Sequence, residues 1–192
     1  MTADESGNMN RGSAVLESQR VTLGLKNREI TMSRNPDFVF GFDPQRREKF
    51  RTGELGEEWR KRYPELFDSD DFRILTTEHQ RKYHFFEWLS SVLLYESTGY
   101  VSLMEKYCTK SHPRKISLFS ELVPKAVFNY LMKTPSGHPD LFSHDPQTGE
   151  WFFSEVKGAT DTLKDNQILM HKQLQEMTGR SVKIIQLDEI IQ

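Results

Sequence analysis

Three residues in the last third of this 192-residue chain have side chains that can do chemistry together: Asp140, Glu155 and Lys157. Glu155 and Lys157 lie in Trp151-Phe152-Phe153-Ser154-Glu155-Val156-Lys157, an aromatic and β-branched run that reads as a strand. Side chains alternate along a strand, so Phe153, Glu155 and Lys157 share one face and Phe152, Ser154 and Val156 the other. Asp140 begins a shorter strand over 140–143, and the Asp-Pro-Gln-Thr-Gly composition between the two runs is that of a turn. The resulting antiparallel hairpin carries Asp140 toward Glu155. Two converging carboxylates repel one another unless positive charge lies between them. Mg²⁺ (or Mn²⁺) suits such a place, because it takes oxygen ligands and keeps waters that a substrate phosphate can replace. The Val156 carbonyl is a further oxygen at that point. A metal held there polarises a phosphodiester and activates a water, while Lys157 orients that water or stabilises charge on the pentacovalent phosphorus. One metal and two metals both remain open.

The elements that must position these groups follow from periodicity. Gly158 ends the strand, a helix is expected over 163–178 with Gly179 in a left-handed closing position, and a last strand over 182–187. Upstream, Phe85, Trp88, Leu89, Val92 and Leu93 recur at helical steps. Thr98-Gly99 interrupts that helix, and a second is expected over 100–107. The helical pattern returns over 116–132, with Pro124 kinking it or starting its second part. The expected fold class is α/β: helices first, then β-β-α-β. Residues 1–35 read as a tail and 36–82 as a charged helical extension. Within the extension, 38–42 is an aromatic stretch docked on the domain, followed by one or two surface helices anchored by Trp59, Tyr63, Leu66 and Phe67. Residues 83–192 form the main domain.

Bulk properties narrow the function classes. No run of eighteen apolar residues occurs, so no membrane-spanning helix is expected. The first ten residues include Asp4 and Glu5 and no apolar stretch, unlike a secretory signal. Cys108 is the only cysteine, which rules out an intramolecular disulfide and favours a reducing, cytoplasmic or nuclear setting. The net charge of −2 does not advertise a nucleic-acid binder, but a local basic patch suffices for one. Lys106, Lys110, His112, Arg114 and Lys115 supply such a patch in a loop over 109–115. Lys110, Arg114 and Lys115 are its candidate contacts to DNA phosphates, and a solvated connection is the plainer alternative. His138 reads as a phosphate contact or as a polar turn residue. Cys108 with His112 lacks the partner ligands of a zinc site.

The motifs Gly137-His138-Pro139-Asp140-Leu141, Phe153-Ser154-Glu155-Val156-Lys157-Gly158 and Asp161 through Leu163 to Gln167 resemble the VRR-NUC family of the PD-(D/E)xK superfamily. The Asp-to-Glu spacing (155 − 140 = 15) is similar too, and the resemblance covers roughly residues 83–188, most strongly 137–174. Singly, each residue has an ordinary reading as turn, cross-strand pair or solvated helix position; their joint order is what carries the likeness. The resemblance implies a restriction-endonuclease-like core and a metal-dependent DNA nuclease, structure-selective in repair, recombination or defence. It places Gln167 in the site and asks for a Glu on an upstream helix: Glu87 first, with Glu96 and Glu121 as alternatives. It also suggests a homodimer, while the lack of a separate DNA-reading domain admits a partner protein that supplies targeting. The rival reading is an inactive nucleic-acid-binding or assembly module on the same fold.

Overall fold

Strand β4 (Trp151–Gly158) lies at the centre of a five-stranded sheet ordered β1-β5-β4-β3-β2 in the computed structural model, which describes residues 35–104, 107–108 and 112–190. Strand β3 (Leu141–His144) runs antiparallel to β4, with Leu141 opposite Ser154 and His144 opposite Trp151. The turn between them is tied by Asp145, whose carboxylate accepts from the Gln147 amide at 2.7 Å and the Thr148 hydroxyl at 2.9 Å. Strand β5 (Lys183–Glu189) is parallel to β4 and is reached through helix α8 (Asp165–Thr178), so the hairpin is followed by a crossover. Outside these lie β1 (Phe38–Phe42), parallel to β5, and β2 (Val101–Met104), antiparallel to β3. The sheet is therefore mixed, and the fold is α/β.

Two of these strands correct the sequence expectation. Residues 101–104 of the expected 100–107 helix are not helical: Gly99, at φ +79°, turns the chain out of helix α5 (Phe85–Thr98), and 101–104 pair with β3. Four residues are too few for periodicity to separate helix from strand, and the neighbouring edge of β3 decides. A 2.8 Å hydroxyl contact between Ser102 and Ser143 ties the pair inside. Likewise 38–42 is not simply a docked aromatic stretch but a strand in register with β5, Phe38 opposite Ile185.

Helices cover both faces of the sheet. On one, Trp88, Leu89 and Val92 of α5 share a core with Leu141, Val156, Ile185 and Leu187. On the other, α6 (Pro113–Leu122), α7 (Lys125–Lys133) and α8 contribute Phe119, Val127, Leu131, Met170 and Leu174 against Leu103, Phe142 and Phe153. Pro124 separates α6 from α7. The segment between β1 and α5 folds into α1 (Gln45–Thr52), α2 (Glu54–Arg62), α3 (Ser69–Leu75) and α4 (Glu78–Tyr83), more pieces than the one or two expected. Gly53, at φ +90°, breaks the first two apart, and Asp68 and Thr77 start the others as N-caps. Phe42, Phe50, Leu55 and Trp59 belong to the same core cluster as Trp88 and Leu89, so this segment shares the body of the domain. Residues 1–34 of the expected tail fall outside the described residues, as do Lys106 and Lys110. No described helix is long and apolar enough to cross a membrane.

Candidate functional site

The hairpin places Asp140 one residue before β3 begins, where β3 no longer supplies a backbone acceptor to β4. The Asp140 carboxylate takes that role: its Oδ2 accepts the Val156 amide proton at 2.8 Å. Asp140 is thereby fixed beside the β4 residues that follow Ser154. Val156 meets it through its N–H, a contact separate from the carbonyl that the sequence suggested as a metal ligand.

Alternation on β4 points Glu155 and Lys157 to the face covered by α8. Glu155 is buried, with only 1% of its surface exposed. Its Oε1 accepts from Lys157 Nζ at 3.0 Å and from the Gln167 side-chain amide. Gln167 is the N3 residue of α8, and its Oε1 accepts both the Lys164 backbone N–H at 3.0 Å and Lys157 Nζ at 3.1 Å. One side chain therefore helps start the helix and clamps the Glu155–Lys157 pair. Gly137, at φ +84°, brings the chain before Asp140 against the same helix start, where an added Cβ would lie 3.2 Å from the Asn166 carbonyl oxygen.

His171, one turn beyond Gln167, is buried with Nε2 3.5 Å from Glu155 Oε2. Neither that oxygen nor either ring nitrogen of His171 has a hydrogen-bond partner among the described residues. Sequence reasoning did not single out His171. The usable signal was its i+4 spacing from Gln167, which puts both side chains on one helix face.

Helix α5 reaches the site from the opposite face. At Gly158 an added Cβ would sit 3.0 Å from the Phe86 ring, so α5 meets the end of β4 closely there. Its N–H donates to Asp161 Oδ2 at 3.0 Å, turning the chain toward α8. Next to Phe86, Glu87 accepts from His84 Nδ1 at 3.1 Å, and its charge acts on Asp140. Glu96 instead pairs with Arg62 at 3.2 Å, and Glu121 accepts from Ser117 at 3.0 Å on α6. Of the three upstream candidates, Glu87 is the one whose charge is felt at Asp140.

The electrostatics are one-sided. Burial pushes the Asp140 carboxyl well above its ordinary range, and Glu155 and then Glu87 push it further. The Val156 N–H and Lys157 offset this only in part. Around Asp140 the two nearby carboxylates of Glu155 and Glu87 thus outweigh the one nearby lysine, Lys157. Among the described residues no group of three or more His, Cys, Asp and Glu side chains is arranged to hold a metal ion by itself. The donor set is a pair of carboxylates at the end of a strand.

The basic patch differs from its expected form. Arg114 and Lys115 lie in the first turn of α6, where Pro113 starts the helix, and not in a solvated loop. Lys115 is 2% exposed; its ammonium is ion-paired with buried Asp71 of α3 and donates to the Met104 carbonyl at 2.7 Å. Arg114 donates through Nε to Asp68 and lies 3.6 Å from Asp71. Lys115 is therefore no surface cation for a phosphate, and Arg114 is already engaged. His138 also faces inward, donating through Nε2 to the Leu131 carbonyl at 3.1 Å and receiving Cys108 Sγ 3.6 Å from Nδ1. Burial pushes the Cys108 thiol up to about 11, which leaves it unreactive.

No protein-family model and no curated protein matches this chain. Among solved structures, it is similar to paFAN1 bound to 2nt 5′-flap DNA with gap, at 20% identity and a TM-score of 0.36, over 65% of this chain and 25% of that one. A second structure, paFAN1 bound to 1nt 5′-flap DNA with gap, matches at 18% identity and a TM-score of 0.27, over 75% of this chain and 26% of that one. The chain spans about a quarter of the length of each.

Proposed function

We propose that the chain is a Mg²⁺- or Mn²⁺-dependent DNA nuclease of the PD-(D/E)xK kind with a VRR-NUC-like, restriction-endonuclease-like core. The observation that supports this best is the surplus of negative charge at the end of β4. Asp140 is pinned to Val156 within the field of Glu155 and Glu87, at a cost that an added cation relieves. The donor set fits Mg²⁺, which is commonly bound by one or two carboxylates plus substrate phosphate, better than a metal needing a complete protein cage.

Asp140 and Glu155 would hold the metal, with the Val156 carbonyl as a further oxygen and Glu87 acting on Asp140 from α5. Bound there, Mg²⁺ supplies Lewis-acid polarisation of a phosphodiester and lowers the pKa of a water. Lys157 stands 3.0 Å from Glu155 and 3.1 Å from Gln167, so its ammonium is held at the strand end, where a reacting phosphate would meet it. Its role is to orient the water or to stabilise charge developing on phosphorus. Gln167 positions Lys157 and orients Glu155, so its loss misplaces both. Within this reading the enzyme is structure-selective and acts in repair, recombination or defence.

The test is cleavage of labelled linear, flapped and four-way DNA substrates by the purified chain, with Mg²⁺, with Mn²⁺ and with chelator. Metal-dependent cutting that disappears in Asp140→Ala supports the reading. Binding without cutting under every metal condition would leave an inactive DNA-binding module instead.

A further inference from the structure

We propose that Tyr83, with His79 and Lys82 beside it, forms a stacking platform for an unpaired base of a DNA strand whose backbone reaches the Asp140–Glu155 site. This rests on the nuclease reading for its neighbour, but the platform has its own observations. Tyr83 is 60% exposed, and of the large, strongly exposed hydrophobic side chains described (Val39, Tyr83, Leu169 and Ile190) it is the aromatic one. A single exposed hydrophobic side chain is ordinary on a protein surface. Tyr83 is not single. The His79 ring lies 5.1 Å from it, centroid to centroid, and Lys82 Nζ lies 5.1 Å from its centroid. An open aromatic ring, a second ring and a cation within one turn combine a π surface with attraction for a phosphate.

The location is what ties the platform to the site. The His79 ring is 5.3 Å from that of His84. His84 donates from Nδ1 to Glu87 at 3.1 Å, which leaves its Nε2 toward His79 Nε2 at 3.4 Å. Phe86, in the same turn, touches the end of β4 at Gly158. A continuous path of contacts therefore runs from Tyr83 through His79 and His84 to Glu87, whose charge reaches Asp140. Structural duty on α4 falls to Gln80, which is buried and accepts from the Trp88 indole at 2.7 Å. Tyr83 is left on the outside of a helix already anchored by another residue. A base stacked there belongs to a nucleotide near the scissile phosphate, and it must lie outside a duplex, because a base inside one has both faces covered by its stacked neighbours.

The experiment uses the full chain in chelator and a single-stranded oligonucleotide carrying 2-aminopurine, read by anisotropy and by fluorescence quenching. Tyr83→Ala should weaken binding about ten-fold or more and abolish the quenching, since base–aromatic stacking contributes at that level. Tyr83→Phe should stay within about two-fold of the parent, and fully paired duplex should bind Tyr83→Ala nearly as it binds the parent. An unchanged Tyr83→Ala, an equal loss in Tyr83→Phe, or no single-strand binding by the parent would each overturn the platform. The same preparations are assayed for Mg²⁺-dependent cutting. If the parent cuts, Asp140→Ala does not and Tyr83→Ala binds normally, the platform fails alone. If Tyr83→Ala loses single-strand binding but the parent never cuts, the platform stands and the catalytic reading fails.

Discussion

Two places in this molecule bury carboxylates beside lysine, and they balance charge differently. Between α3 and α6, Asp71 and Lys115 are both almost fully buried, one carboxylate to one ammonium, and Lys115 spends a hydrogen bond on the Met104 carbonyl. Burial pushes Asp71 up and Lys115 pulls it back, leaving a net rise. Asp68 at the rim is held below its ordinary value: burial raises it, but the Asp71 backbone N–H and Arg114 outweigh that. At the end of β4, Asp140 and Glu155 have one lysine nearby, Lys157, with the His171 ring 3.5 Å from Glu155 and Glu87 adding to the negative side. The first cluster is closed, since every charge has a counterpart within the protein. The second is open and stays costly until something positive arrives. A buried lysine beside a carboxylate thus says little about function; the local sum of charge says more.

The two clusters should differ most in activity. Asp140→Asn and Glu155→Gln should each lower Mg²⁺-dependent cleavage on the order of 10³-fold, the scale seen when one preorganised electrostatic partner of a reacting group is lost. Asp71→Asn should leave the rate per folded molecule within a few-fold of the parent. Initial rates corrected for folded fraction by circular dichroism check this. A thousand-fold loss in Asp71→Asn with an intact fold would show that the closed cluster belongs to the site.

Stability should answer with opposite signs. Asp71→Asn strands the Lys115 ammonium in the interior and should cost about 3–5 kcal/mol, roughly 10 °C or more in Tm for a body of this size. Adding Lys115→Met should recover part of the loss, because it removes the stranded charge. Asp140→Asn keeps an acceptor for the Val156 amide and removes one repelling charge, so in chelator it should raise Tm by more than about 2 °C. The pH dependence follows. Since the folded Asp140 carboxyl is raised, the native state holds more protons than the unfolded chain above the unfolded carboxyl range. Its contribution is therefore fully present at low pH and lost as pH rises through the folded value. In chelator the Tm of Asp140→Asn should therefore rise relative to that of the parent as pH goes from acid toward neutrality. A Tm drop in Asp140→Asn at neutral pH would show that the site is closed after all.

What the sequence disclosed and what it hid divide along the same line. The hairpin, Gly158, α8 and β5 were legible because each rests on short-range pattern: alternation in 151–157, the turn tied by Asp145, and Gly179 at φ +69°. Asp140, Glu155, Lys157 and Gln167 were legible as candidates for the same reason, and the structure brings them together. Lys115 was misread because its burial depends on Asp71, a partner on another helix that no local pattern announces. The strands at 38–42 and 101–104 were missed because their type is decided by the edges of β5 and β3. His171 was within reach of helical spacing, but its meaning depends on Glu155 lying 3.5 Å away.

Glu87 tests how far the open cluster extends. It lies on the other face of the sheet, and its charge is felt at Asp140. Glu87→Gln keeps the shape and an acceptor for His84, so it should reduce cleavage about ten-fold, less than loss of Asp140 or Glu155. The Mg²⁺ concentration for half-maximal rate should rise with it, a readout that a purely structural role would not move. If Glu96→Gln or Glu121→Gln has the larger effect, the open cluster is completed from a different helix.

The smallest effect is expected at Arg114, on the rim of the closed cluster. A free phosphate-binding cation contributes about one unit to the log-log salt slope of DNA binding, because its contact releases a condensed counterion. Arg114 is half-exposed, but its guanidinium already faces Asp68 and approaches Asp71. Binding phosphate would require it to give up those partners, so little net attraction is gained. Arg114→Ala should therefore flatten the slope by less than about half a unit, and a partly exposed ion pair of this kind should change stability by about 1 kcal/mol or less. Affinity for several unrelated DNA sequences over a salt series, in chelator, measures the first, and thermal unfolding the second. A full unit of lost slope would mean that Arg114 exchanges Asp68 for phosphate when DNA binds. The cluster would then be closed only in the free protein, and Asp68→Asn, by freeing the guanidinium in advance, should tighten DNA binding where Arg114→Ala weakens it.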